Sequence, residues 1–158
     1  MAKLTILRGV SGSGKSTWAS AAQREATTQN TPVIVSRDRI RMCLFTTEAW
    51  LDEALITKVS HNMVFEALKA GRDVIVDDTN TSQQYVNAFI GVANGLHAEY
   101  EVVTLDVPLA IALKRNALRA KTGGRSVPED VIGKQYMRLH GIKSSAVDND
   151  PDNPDLNA

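Results

Sequence analysis

The segment Gly9-Val10-Ser11-Gly12-Ser13-Gly14-Lys15-Ser16 constrains this chain more than any other. It follows the pattern G-x-x-x-x-G-K-[ST], between a strand-like run, Leu4-Thr5-Ile6-Leu7, and a run with helical composition. A glycine-rich turn from strand to helix aims backbone amides inward, and the helix N-terminus adds positive potential, so the product is an anion cradle. Gly9, Gly12 and Gly14 are expected to take left-handed backbone angles there. Gly12, Ser13 and Gly14 then wrap the phosphates of a nucleoside triphosphate, Lys15 reaches the β- and γ-phosphate oxygens, Ser16 ligates Mg²⁺ and Thr17 closes the cradle. ATP and Mg²⁺ are the ligands this motif implies. The reaction stays open, since GTPases, motor ATPases and metabolic kinases share the loop.

Around that loop, apolar β-rich runs alternate with helical segments, the pattern of βαβ units in an α/β fold with a parallel sheet. Strands are expected at Lys3 to Arg8, Pro32 to Ser36, Asp73 to Asp77 and Glu99 to Asp106. Helices are expected from Lys15 to Thr27, Asp38 to Phe45 and Glu48 to Ala70. The last of these carries an apolar stripe at Leu51, Leu55, Val59, Met63 and Ala67 and a C-terminal Gly71. Thr81 with Gln84 reads as a capping box for a helix ending near Gly95, and Pro108 suits the first turn of one ending near Lys121. A Gly123-Gly124 loop and a final helix from Pro128 to His140 follow.

A length of 158 residues with 43% apolar content supports one core and one active site. No run reaches the ~18 apolar residues of a membrane span, and the N-terminus enters strand-like sequence without a secretory core, so a soluble, cytoplasmic chain is expected. The single Cys43 reads as a buried core thiol. His61, His97 and His140 share no metal-ligand spacing. The formal charge is zero, but four Asp and no basic residue fall after Val147, leaving 18 basic against 14 acidic side chains in residues 1–146. The chain divides into a domain over 1–143 and an acidic segment over 144–158 expected to be disordered. Lys114, Arg115, Arg119, Lys121 and Arg125 lie in one stretch without an acid, which suits an anionic ligand.

Three further motifs carry chemistry. Ser36-Arg37-Asp38-Arg39-Ile40-Arg41 follows the second strand, where an open parallel sheet gathers its reactive groups. Asp38 suits a general base and Arg41, three residues on, an anion contact; the same residues also read as a helix cap with solvated arginines. Asp77-Asp78-Thr79-Asn80 ends the third strand in carboxylates, as a metal-orienting Asp requires, and either Asp can serve. Arg115 and Arg119, four apart, can span a triphosphate, with Thr122-Gly123-Gly124-Arg125-Ser126 as a hinged lid.

Read together with Asp106-Val107-Pro108, Lys114-Arg115-Asn116-Ala117-Leu118-Arg119 and Val127-Pro128-Glu129-Asp130-Val131-Ile132, these motifs resemble the kinase domain of phage-type polynucleotide kinases, with zeta-toxin-like kinases as more distant relatives. The likeness runs through nearly the whole chain before the acidic segment, where end-healing members commonly add a phosphatase or ligase domain. It implies a three-layer P-loop kinase fold: a central parallel sheet of four to five strands in the order 2-3-1-4, with an arginine-bearing lid. It also implies transfer of the ATP γ-phosphate to the 5′-hydroxyl of DNA or RNA. Under that resemblance Lys15 and Ser16 bind phosphate and metal and Asp38 is the base. Arg41, with Arg37, Asp78 and Thr79, meets the acceptor, Asp78 also serving the metal, and Arg115 and Arg119 are phosphate-contacting lid cations. Kinases of hydroxymethylated bases such as 5-hydroxymethyluracil in phage DNA share this donor side, as do small-metabolite kinases. An ATP-binding switch is the alternative outside catalysis.

Overall fold

Four parallel strands form the centre of the computed structural model, which describes residues 1–47 and 49–142. In chain order the elements are β1 (Lys3–Arg8), α1 (Lys15–Glu25), β2 (Val33–Val35), α2 (Arg37–Phe45), α3 (Glu53–Lys69), β3 (Val74–Val76), α4 (Gln83–Gly95), β4 (Glu99–Thr104), α5 (Leu109–Lys121) and α6 (Glu129–Leu139). The sheet order is β2-β3-β1-β4, as the sequence implies, with Leu4 opposite both Val74 and Tyr100. Every strand therefore ends on the same edge, where β1 releases its glycine loop. No helix among the described residues is long and apolar enough to cross a membrane.

Strand alternation sorts the core into layers. Leu4, Ile6, Val74 and Val76 point to one face and pack on Ile56, Val64, Val86 and Phe89 of α3 and α4. Leu7 and Ile75 point to the other and meet Ala19 of α1, while Val10, Ala112, Val131 and Ile132 form a smaller cluster tying α5 and α6 to the glycine loop. That cluster fixes the arginine helix against the cradle.

Several local expectations are corrected. α3 starts at Glu53 behind an Asp52 cap whose side chain accepts the Leu55 N–H; the expected start, Glu48, lies outside the described residues. Its buried row is Ile56, Ser60, Val64 and Leu68, whereas Leu51, Leu55 and Met63 are exposed. Two apolar rows lie one residue apart on this helix, and only docking on the sheet selects between them. α4 is capped by Ser82 without a side-chain bond, and Thr81, expected to cap it, lies one residue before the cap with its hydroxyl accepting from Arg138 at 3.0 Å. Pro108 and Pro128 each stand just before their helices. Cys43 is exposed, on the outer side of α2. Gly71 does end α3, with Arg72 N–H donating to Ala67 O and Gly71 N–H to Leu68 O. The acidic segment over 144–158 lies outside the described residues.

Candidate active site

Three chain segments are stitched together at the sheet's carboxyl edge. Gly9 N–H donates to Thr79 O at 2.9 Å, Leu105 N–H to Arg8 O at 2.7 Å, and the Asn80 amide to Leu7 O at 2.7 Å. The loop between β1 and α1 is thereby held against the ends of β3 and β4. Gly12 and Gly14 take φ of 85° and 99°, as expected. Gly9 does not; it is required for space, since a Cβ there would lie 2.5 Å from Ser13 Oγ and 2.8 Å from Leu105 O. Gly14 caps α1 with no side-chain bond, so the first-turn amides, which have no intrahelical acceptor, are left to a ligand.

Lys15 opens α1 with its ammonium buried, 2.9 Å from Val10 O and 3.3 Å from Ser13 Oγ. Burial pushes its pKa down to about 8; Asp77 and Asp78 oppose that shift, and Arg119 and Arg125 add to it. A cation held at this cost is poised for an anion. The Ser16 hydroxyl donates to Asp77 Oδ2 at 2.8 Å. Asp78 faces the other way: its Oδ1 accepts the Arg37 N–H at 2.9 Å and its Oδ2 lies 3.6 Å from Arg37 Nε. Nearly enclosed, Asp78 has its pKa raised by burial, against the pull of Arg37. Of the two carboxylates left open by the sequence, Asp77 is the one beside Ser16.

A cavity of about 340 Å³ opens over this edge and joins Lys15, Ser16, Thr17, Thr79 and both Asp residues to Asp38. Seven cationic side chains line it against three acids, the seven being Lys15, Arg37, Arg39, Arg41, Arg115, Arg119 and Arg125. The site is therefore built for a polyanion. Ser36 caps α2, accepting the Arg39 N–H, so Asp38 is not the cap; it lies in the first turn with a half-exposed carboxylate. Arg41 donates to Asp38 Oδ1 at 2.7 Å, and Arg125 pairs with Asp38 Oδ2. Arg41 is itself buried and gripped by Glu53, Nε to Oε1 at 2.9 Å and Nη2 to Oε2 at 2.7 Å. Arg37 stacks over the Tyr85 ring and donates to its hydroxyl at 2.5 Å.

The arginine helix closes the donor side. Arg115 Nη1 lies 3.3 Å from Gly12 O and 3.4 Å from Ser13 O. Arg119 braces the following loop, donating to Arg125 O at 2.7 Å and lying 3.3 Å from Asn116 Oδ1. Asn116, buried, exchanges two bonds with the Val127 backbone at 2.7 and 2.9 Å. Gly123 and Gly124 terminate α5: their amides return to Ala120 O and Arg119 O, and a Cβ on Gly124 would lie 2.6 Å from Arg119 Cγ.

The anticipated site residues from Gly12 to Arg119 line one cavity, except Ser13, which is buried with its Oγ 3.3 Å from the Lys15 ammonium. Sequence reasoning missed Glu53, Asn116 and Gln135, whose Oε1 accepts the Ser11 N–H at 2.9 Å. None of the three stands at a recognisable spacing from the loop it serves, though Asn116 lies between the two lid arginines. Among the described residues no group of three or more His, Cys, Asp or Glu could hold a metal unaided.

A strand-loop-helix phosphate cradle on a 2-3-1-4 parallel sheet, roofed by an arginine helix, defines a P-loop phosphotransferase domain. The chain belongs to the AAA domain family AAA_33, whose model matches residues 4–142. It is 31% identical over 139 residues to the L-seryl-tRNA(Sec) kinase of Methanococcus maripaludis, covering 86% of this chain and 52% of that protein. It is 28% identical over 152 residues to a putative bifunctional polynucleotide kinase/RNA ligase of Autographa californica nuclear polyhedrosis virus, covering 87% of this chain and 21% of that one. The chain thus spans about half of the first relative and about a fifth of the second. Among solved structures, a chain of the Pnkp1/Rnl/Hen1 RNA repair complex superposes with a TM-score of 0.79 at 30% identity, covering 89% of this chain and 45% of that one.

Proposed function

We propose that this domain transfers the γ-phosphate of ATP to a hydroxyl carried on nucleic acid, most directly the 5′-hydroxyl of DNA or RNA. The observation that carries the reading is the shared cavity: Asp38, half-exposed, opens into the same volume as the Lys15 cradle and its ring of cations. Phosphoryl transfer asks little covalent chemistry of a protein and much positioning and charge neutralisation, which is what this residue set supplies.

Lys15 and the first-turn amides of α1 hold the β- and γ-phosphates. Arg115, over the loop, and Arg119 offset charge on the transferred group. Asp38 accepts the acceptor's proton as its oxygen attacks phosphorus. Arg41 still has two of its five N–H donors beyond those given to Glu53 and Asp38, and with Arg37 and Thr79 it lines the acceptor side. Ser16 Oγ and Asp77 Oδ2, at 2.8 Å, are hard oxygen donors beside the cradle. That set fits Mg²⁺ completed by phosphate oxygens and water, with Asp78 behind it anchoring Arg37. Bound there, Mg²⁺ neutralises phosphate charge and orients the γ-phosphoryl group.

The likeness to an L-seryl-tRNA(Sec) kinase favours a second reading, in which the hydroxyl belongs to a group attached to RNA. One experiment separates them. The protein is incubated with γ-labelled ATP and Mg²⁺ and offered 5′-hydroxyl DNA, 5′-hydroxyl RNA, seryl-tRNA, and 5′-blocked DNA containing 5-hydroxymethyluracil. Label on free 5′ ends, lost with Asp38→Asn, is the expected result; label on none of the four acceptors refutes the nucleic-acid reading.

A further inference from the structure

Beside the phosphate cradle, Glu53, Arg41, Asp38 and Arg125 form a continuous polar chain that spans α3, α2 and the loop after α5. Glu53 is nearly enclosed, with 11% of its side chain exposed, and spends both oxygens on Arg41, of whose side chain 4% is exposed. Arg41 then makes its third bond to Asp38 at 2.7 Å, and Arg125 reaches the other oxygen of the same carboxylate from 87 residues away. A buried arginine needs only one carboxylate for neutrality, and Glu53 already provides it through a two-bond fork. Arg41 therefore fixes where Asp38 points while most of its charge is cancelled from behind.

We infer that Glu53 and Arg125 are positioning residues that set the basicity of Asp38 in opposite senses, Glu53 preserving it by muting Arg41 and Arg125 lowering it. The inference rests on the reading of Asp38 as the base. The other charges around Asp38 are common to all the variants below. Arg37 and Arg39 flank it on α2, and Lys15, Asp77, Asp78, Arg115 and Arg119 line the same cavity. Removing the Glu53 charge leaves Arg41 fully cationic against Asp38, which lowers the affinity of Asp38 for a proton. Removing Arg125 raises it. A residue that merely held the fold would not move a proton affinity in a predictable direction, and two such residues would not move it in opposite ones.

The test is the pH profile of kcat/KM for the nucleic-acid acceptor at saturating ATP, for the intact protein and for Glu53→Gln, Glu53→Asp and Arg125→Ala. Gln keeps an acceptor for Arg41 and Asp keeps the charge. The acid limb is expected to move down by about half a pH unit in Glu53→Gln, with a severalfold lower plateau, and to return in Glu53→Asp. It should move up by about one unit in Arg125→Ala. The KM for ATP should change less than about twofold in the two Glu53 variants, since Glu53 does not line the cavity. If Glu53→Gln does not fold, the upward shift in Arg125→Ala decides alone. Limbs that stay in place, or move together, overturn the inference. Activity that survives Asp38→Asn instead overturns the base reading beneath it; an inactive Asp38→Asn with unmoved limbs removes only this step.

Discussion

Raising the pH should weaken ATP binding through one residue, and the size of the effect follows from where Lys15 sits. Its pKa is pushed down to about 8 from 10.5 by burial beneath the glycine loop. A bound triphosphate places negative charge against the ammonium and restores the charged form. At pH 7 about nine-tenths of the free protein already carries the proton; at pH 9 only about one-tenth does. If only the charged form binds, affinity falls about tenfold over that interval, and binding at pH 9 takes up about 0.9 proton. Isothermal calorimetry in two buffers of different ionisation enthalpy measures the uptake directly, with Lys15→Met as the control that takes up none. The same shift bears on stability, with a defined sign. Between about pH 8 and 10.5 the unfolded chain holds a proton that folded Lys15 has released, so stability rises with pH across that window. Relative to Lys15→Met the rise is about 3 kcal/mol. Proton uptake near zero at pH 9, with unchanged affinity, would refute the buried-lysine argument, because an ordinary lysine is still charged there.

Other consequences are as direct. Gly12→Ala combines a left-handed backbone, costing about 1–2 kcal/mol, with a Cβ 2.6 Å from Ala112 O, so α5 must move off the cradle. Thermal unfolding should fall by roughly 5 °C and the KM for ATP rise about tenfold or more; a variant with both unchanged would show that α5 does not depend on this contact. Asp77→Asn should raise the Mg²⁺ concentration for half-maximal activity about tenfold, whereas Asp78→Asn, which keeps an acceptor for the Arg37 N–H, should leave it unchanged; a Mg²⁺ titration giving the reverse order would reassign the metal-side carboxylate. Arg39, exposed at the cavity wall, should contact acceptor phosphate, so Arg39→Ala should reduce the slope of log affinity for single-stranded DNA against log salt by about 1; an unchanged slope would place the acceptor strand elsewhere.

Much of this architecture is local and was therefore legible in the chain. Gly9 to Ser16 joins a strand to a helix around an anion site, because that order of glycines, lysine and serine brings the lysine and the first-turn amides together within a few residues. The alternation of apolar runs specified a parallel sheet, and Gly71 specified where α3 stops. Asp38 and the Arg115/Arg119 pair could be nominated because each lies a fixed few residues from a strand end or a helix neighbour.

What the tertiary structure decided were relations between segments far apart in sequence, where spacing carries no information. The choice of Asp77 over Asp78 as the partner of Ser16 depends on which way β3 faces as it leaves the sheet. The buried row of α3 depends on which of two adjacent apolar stripes docks first and best. Gly123 and Gly124 end α5 because Arg119 O accepts the Gly124 N–H, a bond that the spacing alone does not specify. Glu53 bonds Arg41 across 12 residues and Arg125 reaches Asp38 across 87, so the environment of the proposed base exists only once α3 and the lid loop have folded over α2.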